Sequence, residues 1–485
     1  MKNFQVAIIG GGVIGCAIAW ELSKYNVDVI LFEKGCDVAS ETTKANSGVI
    51  HSGINSKVGS RKANLCVKGN LMFQSLSNQL GFELQWVGKF VIAKNQNEVQ
   101  ELYRLKKIGE ANKVTGLQIK EGSELLKHNI SCEKALWVPT AGIILPYEFT
   151  IALAENAVVN KVCFMLETTV KFIKKFDNFF EISTNNGVFH ANLVVNAAGL
   201  YCRDIVAMLE QPDFKVYPCR GEYLIVDKAY SNLVSSMIYP IADKKLGVLG
   251  VHITPTIEGN ILLGPSAEFI QDSSDTKTTK EMMDTILAQA RDIIPDIPRY
   301  SVICAYSGIR CKLASPKSGG WADYRIEESK YTSGLINILG IESPGLTAAP
   351  AIACEVKNMI SKYITLKEKA TFIYRKKNKP FSELSFKEID EVLKKHNEHG
   401  RIICRCEHVT EKEVIDALSN PLSANTLSSV KYRCRAGMGR CQGGFCTQHI
   451  VRIMQQHCKI DVKDMKLKSS ESFLFKGRSR EEKND

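Results

Sequence analysis

The stretch FQVAIIGGGVIGCAIAWELSKYNVDVILFEK, residues 4–34, leaves few folds open to this chain. Gly10, Gly12 and Gly15 stand at G-x-G-x-x-G spacing between an apolar run that reads as a buried strand and a helical pattern, and Glu33 closes a second strand eighteen residues after Gly15. A strand, a glycine turn, a helix and an acid in this register form a β-α-β unit. The glycines let backbone N–H groups approach a pyrophosphate at the helix N-terminus, and Glu33 can accept hydrogen bonds from ribose hydroxyls. A glycine loop that served only to pack helix on strand would not need the acid. The chain is therefore expected to bind a dinucleotide, FAD or NAD.

The same stretch could be mistaken for a secretory leader, since Lys2, the apolar run from Val6 and the AIA at 17–19 imitate one. Cleavage there would remove the glycine motif, and the glycines break the run short of the ~18 apolar residues of a spanning helix. A chain free of membrane spans is expected. The sequence has 485 residues and 16 cysteines, without the short secreted frame in which cysteine density signals a disulfide scaffold, so a reducing compartment is expected.

Further along, KFVIAK and EYLIVD read as strands and EFTIALAENAVV as a helix, which implies a mixed substrate domain interleaved with the first. The HANLVVNAAGLYCRDIV segment, with Gly199, follows a strand, and LINILGIESPGLTAAPAIACEV reads as strand, Ser-Pro-Gly turn and helix. That last arrangement would aim the backbone N–H groups of Gly345, Leu346 and Thr347 at an electron-rich ring and favours FAD over NAD.

These segments carry a resemblance. Residues 1 to about 360 resemble the D-amino-acid-oxidase-type FAD superfamily, and ETTKANSGVIHSGI with GIESPGLTAAPAIA is similar to FAD-dependent glycerol-3-phosphate oxidases and dehydrogenases and to L-2-hydroxyglutarate dehydrogenases. The resemblance implies that Thr42 and Ser47 lie beside the flavin, that His51 removes the substrate hydroxyl proton, and that Arg310 holds its anionic end, with Ser47 and Ser343 also at the substrate. A base titrating near neutrality suits alcohol oxidation, and a planar guanidinium suits a phosphate or carboxylate. A lysine assigned to catalysis in the oxidases falls near Lys244 or Lys245, whereas LGVHIT, with His252, looks more like the hydroxyglutarate enzymes.

Near the C-terminus, Cys404 and Cys406 form a C-x-C pair and Cys441 and Cys446 a C-x4-C pair, thirty-four residues apart. Structural zinc sites generally use C-x2-C knuckles, so this spacing speaks against zinc. The glycines of GMGRCQGGFC can wrap an inorganic cluster, and Arg435 and Arg440 are placed to offset its charge. This module resembles bacterioferritin-associated-ferredoxin-like [2Fe-2S] domains, with the four cysteines as its implied ligands. Cys434 and Cys458 fall outside the set. Thr410 and Glu413 read as a capping box that starts a helix ending near Asn420-Pro421.

The expected fold is thus α/β: a Rossmann-like FAD-binding domain interleaved with a mixed-sheet substrate domain, plus a small, mainly helical [2Fe-2S] domain. The boundaries read 1–365 for the oxidoreductase (FAD segments about 1–75, 150–210 and 330–365), 366–400 linker, 401–462 cluster domain and 463–485 disordered tail. From residue 366 onward 25 Lys plus Arg face 16 Asp plus Glu, so +9 of the net +11 sits in this last quarter. A basic module next to a cluster points to an acidic electron-acceptor protein or second subunit, or to an anionic membrane surface, in a cytoplasmic or peripheral inner-face setting. No aromatic-interleaved basic patch suggests nucleic acid. A flavin takes electrons in pairs and a cluster one at a time, which fits dehydrogenation of a small anionic alcohol with delivery to an acceptor other than O2. Glycerol 3-phosphate leads as substrate and L-2-hydroxyglutarate follows. An electron-transfer or redox-sensing flavoprotein without its own small substrate is the reading from another class, and an amine oxidase a weaker one.

Overall fold

The computed structural model describes residues 3–126, 130–241, 250–375 and 377–477; Lys244 and Lys245 lie outside them. Residues Asn3–Ile9 form the central strand β1, helix α1 spans Val13–Leu22 and strand β2 spans Val29–Phe32. β1 runs parallel to β2 on one side and to the strand Gly187–Asn196 on the other, and that strand is followed by Leu335–Leu339, also parallel. The sheet is thus assembled from three distant pieces of chain. Every residue of α1 is buried. A helix apolar all round must be covered on all sides; here the helices Pro146–Val159 and Gly345–Ile360 pack on it, with Trp20 Nε1 donating to Asn156 Oδ1 at 2.9 Å.

The second body is a nine-stranded, mostly antiparallel sheet. Its longest ladder pairs Tyr217–Val226 with Val302–Lys312 in the register Cys219↔Arg310, Gly221↔Gly308, Tyr223↔Tyr306. Cross-strand partners share a face, so Arg310, Tyr223 and Tyr306 stand on the side turned toward the first domain. The glycine pair between them is required. A Cβ on Gly308 would sit 2.1 Å from the Ala45 carbonyl oxygen, and one on Gly221 2.6 Å from Arg310 Nη2. The strand Lys89–Ala93 lies inside the same sheet, parallel to Met237–Pro240 and antiparallel to Lys134–Val138.

Three short helices, Glu411–Leu418, Leu427–Cys434 and Thr447–Cys458, and a small two-stranded ladder make the C-terminal module around Val414, Val430, Ile450 and Met454. The capping box read at Thr410 and Glu413 is formed, with Glu413 Oε2 accepting from Thr410 N at 2.8 Å. The module is clamped to the body by ion pairs, those of Arg433 buried, those of Arg435 partly buried and that of Arg440 largely exposed. Arg433 reaches Asp37 (2.5 Å) behind β2 and Glu155 (2.8 Å); Arg435 pairs with Glu258 (2.8 Å) and with the module's own Glu407 (3.0 Å); Arg440 pairs with Asp227 (2.9 Å). Arg435 and Arg440, expected to offset cluster charge, thus spend their charge on carboxylates, Glu258 and Asp227 belonging to the oxidoreductase body.

The 366–400 segment is fastened along the helix Pro146–Val159, Asn160 exchanging hydrogen bonds of 2.8 and 3.0 Å with the Ile373 backbone, before a ten-residue helix, Phe386–Lys395. The segment from 463, expected to be disordered, instead packs as far as Leu474, which lies against the module's core. Met465 is fully buried, and Lys466 pairs with Glu167 at 2.5 Å. Its apolar residues were hidden in a polar composition.

Candidate active site

The C-terminal ends of the parallel strands, the segment 40–51 and the inner face of the nine-stranded sheet enclose a cavity of about 1640 Å³. Its floor is the glycine turn. Gly10 takes φ +111°, where a Cβ would meet the Ala197 carbonyl oxygen at 2.5 Å, and a Cβ on Gly15 would lie 1.9 Å from the Gly10 carbonyl oxygen. Glu33 is buried and accepts from the backbone N–H groups of Gly11 and Gly35, both at 2.6 Å. Gly12, Glu33, Thr42, Ser47, Gly199, Gly345 and Leu346 all line the cavity. Thr347 differs: it is fully buried, and its Oγ1 accepts from His51 N (2.8 Å) and reaches Val49 O (3.3 Å), so its side chain fixes the histidine segment. Such a volume over a tight glycine turn fits an extended dinucleotide, and FAD would be held there by these residues. Gly15→Val forces the Gly10 peptide aside. Protein carrying it is expected to purify with FAD content below a tenth of wild type, measured as flavin released on denaturation because the cluster also absorbs visible light; flavin content near wild type would contradict the tight turn.

The reacting end of the cavity gathers side chains from four segments. His51 Nε2 is 3.3 Å from Ser343 Oγ, and the His51 carbonyl accepts from Asn70 Nδ2 at 3.1 Å. Ser47 Oγ lies 3.2 Å from His252 Nε2, and His252 Nδ1 faces the Gly250 carbonyl at 3.2 Å, a geometry that puts the imidazole proton on Nδ1 and leaves Nε2 to accept. His252 also stacks on Tyr239, with ring centroids 4.0 Å apart. Arg310 donates to Ser266 O at 3.0 Å and contacts Cys219 Sγ at 3.6 Å. His51 and Ser47, from one segment, and Ser343, His252 and Arg310, from three others, therefore meet in one place. Burial, helped by Lys89 and His252, holds His51 well below the usual imidazole range, and burial pushes His252 down to about 3. Both are neutral at physiological pH.

Several lining residues escaped the sequence reading. Glu342 bridges Lys62 (2.8 Å) and Lys312 (3.0 Å) in a buried triad. Tyr223, whose OH lies 3.4 Å from Ser47 Oγ, stacks on Tyr306. Lys89 is 1% exposed, lines the cavity, and places its Nζ 4.7 Å from the centre of the Tyr239 ring. A signal for it existed: in KFVIA the lysine shares strand parity with buried Val91 and Ala93.

In the C-terminal module the four cysteines come as two pairs. Cys406 Sγ is 3.7 Å from Cys441 Sγ, and Cys404 is hydrogen-bonded to the Cys446 thiol. Backbone N–H groups converge on them: those of Gly437, Glu407 and Cys406 on Cys404, and those of Phe445 and Gly443 on Cys441. The Cys446 thiol and these amides hold Cys404 far below the usual thiol range. Four sulfurs with converging amides fit an anionic iron–sulfur cluster. Cys404 and Cys446 are buried while Cys441 is exposed, so one edge of the set faces solvent. Cys434 donates to the Val430 carbonyl and is pushed up to about 12 by burial.

The comparisons agree with this geometry. Residues 5–359 match the family described as FAD dependent oxidoreductase and residues 402–456 the BFD-like [2Fe-2S] binding domain. The chain belongs to the FAD-dependent oxidoreductases of the D-amino-acid-oxidase type and carries a C-terminal [2Fe-2S] domain. It is 41% identical to glycerol 3-phosphate dehydrogenase of Caloramator mitchellensis over 99% of both chains. It is also 31% identical to glycerol 3-phosphate oxidase of Mycoplasma pneumoniae over 76% of this chain and 97% of that one, and 30% identical to the mitochondrial L-2-hydroxyglutarate dehydrogenase of Arabidopsis thaliana over 74% and 83%. Within its family it is therefore an oxidoreductase of the glycerol-3-phosphate dehydrogenase type, acting on a CH–OH group. In three dimensions, FAD-bound L-alpha-glycerophosphate oxidase from M. pneumoniae superposes with a TM-score of 0.72 at 30% identity, covering 79% of this chain and all of that one. Among the described residues no helix is long and apolar enough to cross a membrane.

Proposed function

We propose that this protein oxidises sn-glycerol 3-phosphate to dihydroxyacetone phosphate and passes the electrons through its [2Fe-2S] cluster to a separate acceptor protein or subunit. The observation that carries the reading is the length of the match to the C. mitchellensis dehydrogenase, which includes the cluster module, whereas the oxidase match uses 97% of the oxidase on only 76% of this chain. An enzyme that keeps a cluster where its oxidase relative has no counterpart is built to hand electrons on.

In this reading FAD supplies the two-electron acceptor and the cluster a one-electron carrier. His51, held neutral, has Nε2 available to take the hydroxyl proton, with Ser343 steering it. Arg310, fixed by Ser266 and Cys219, meets the anionic head. Gly10, Gly12, Gly15, Glu33, Thr42, Ser47, Gly199, Gly345, Leu346 and the Thr347 backbone hold FAD; Cys404, Cys406, Cys441 and Cys446 hold the cluster. The solvent-facing edge at Cys441 is where the acceptor docks. The functional units are assigned as 1–365, the strap 366–400 and 401–462.

A second reading, an L-2-hydroxyglutarate dehydrogenase, is favoured by His252, which sits in the cavity on Ser47. The visible spectrum of anaerobic protein separates them: glycerol 3-phosphate is expected to bleach the flavin bands and then the cluster absorbance. Bleaching by L-2-hydroxyglutarate alone would transfer the assignment to the second reading.

A further inference from the structure

Lys62, Lys89 and Lys312 are buried among the described residues. Lys62 and Lys312 share the carboxylate of Glu342, at 2.8 and 3.0 Å, so each has an anionic partner within the fold. Lys89 has no carboxylate near it among the described residues. Its neighbours are uncharged groups: His51 and His252, both held neutral, the Cys66 thiol, pushed up to about 12, and the ring of Tyr239, whose hydroxyl burial pushes far above its usual range. Burial pushes the Lys89 ammonium down to about 8, so it still carries its proton at neutral pH.

An unpaired buried ammonium is expensive, and a cation–π contact recovers only ~0.5–2 kcal/mol of that cost. The strand that bears it is hydrogen-bonded on both sides within the nine-stranded sheet, which fixes the face on which Lys89 stands. It also lines the cavity beside His51. A charge kept in place at such cost, next to the group assigned as base, has no counter-ion among the described residues.

We propose that Lys89 is a specificity-determining residue: its ammonium contacts an oxyanion of the substrate, adding a second cation to Arg310 and selecting anionic over neutral alcohols. This rests on the reading of an anionic hydroxy substrate given above. The anion can be a phosphate or a carboxylate, which the ammonium treats alike as a point charge.

The test is calorimetric binding of inorganic phosphate, and separately of glutarate, to FAD-loaded wild type and to Lys89→Met and Lys89→Gln. Glutamine keeps a donor without the charge. Whichever anion binds wild type is expected to bind both variants roughly 30-fold or more weakly, phosphate marking a phosphorylated substrate and glutarate a dicarboxylate. Because the variants remove an uncompensated charge, their ligand-free melting temperatures should equal or exceed that of wild type. Unchanged affinity in the variants, absence of binding of either anion to wild type, or destabilised variants with wild-type affinity would each overturn the assignment. Flavin bleaching of wild type by glycerol 3-phosphate in the same samples is independent of this outcome: it can succeed while Lys89 fails, or fail while Lys89 still binds the anion.

Discussion

Replacing His51 by Asn is expected to slow substrate-driven bleaching of the flavin by about 10²–10⁴-fold while leaving FAD content unchanged. The backbone of the segment is pinned independently of the imidazole, through Thr347 Oγ1 on His51 N and Asn70 Nδ2 on His51 O, so the amide side chain enters the same site without unravelling it. What is lost is a nitrogen that can take a proton. The pH profile carries the sign. Burial first, then the charge of Lys89 and the nearby His252 imidazole, depresses the folded-state value of His51, so the neutral, proton-accepting form persists as pH falls through the ordinary imidazole range near 6.5. The acid limb of kcat/KM is therefore expected well below pH 6.5. An H51N enzyme reduced at wild-type rate would move the base elsewhere, with His252 the next to test.

The second large effect lies 
at the junction of the two functional units. Arg433 is 7% exposed in its side chain and sits between Asp37 at 11% and Glu155 at 4%. Arg433→Met leaves Asp37 buried with no cation, while Glu155 keeps Arg375 at 3.0 Å. Removing one partner of a buried pair costs ~3–5 kcal/mol, and the surviving Arg375 contact places this variant near the lower end. Because the pairs cross between the module and the body, the loss should appear as a separate, lower-temperature transition in cluster absorbance, ahead of unfolding followed by far-ultraviolet circular dichroism. Coincident transitions at the wild-type temperature would show that the clamp contributes little. The other cross-body pairs, Arg435 with Glu258 and Arg440 with Asp227, are expected to soften the effect without cancelling it.

The parts of the site that were legible in the sequence are those where local backbone demands a residue type. Gly10, Gly12, Gly15 and Glu33 announce themselves because a turn, a close approach and an acid must follow one another within one β-α-β unit. The cysteine pairs are legible for the same reason. Arg310 and His51 came only from resemblance, since nothing local distinguishes a cavity-facing arginine from a surface one. Tyr223, Glu342 and Lys89 were missed because their positions depend on sheet register and long-range pairing: Lys89 is next to His252 only because its strand lies parallel to Met237–Pro240. The partners of Arg435 and Arg440 were not legible because charge near cysteines was read without the body that presents Glu258 and Asp227. The terminal segment was misjudged by composition, which does not report that a lone Met465 finds a pocket.

The three-piece origin of the parallel sheet also sets a schedule for biogenesis. β1 leaves the ribosome early, yet its parallel partner ends at Asn196 and the next strand at Leu339. Until then a run as apolar as VAII has an unpaired edge, the condition under which nascent chains aggregate. The loop closures are long and the sheet is slow to form for that reason. The cluster-binding cysteines, by contrast, all fall within residues 404–446, in a small ladder and turns beside helices whose contacts are local. The nascent chain thus carries one edge of its first strand unpaired until residue 196 has emerged, and holdase chaperones have a longer window on it than on the module made last.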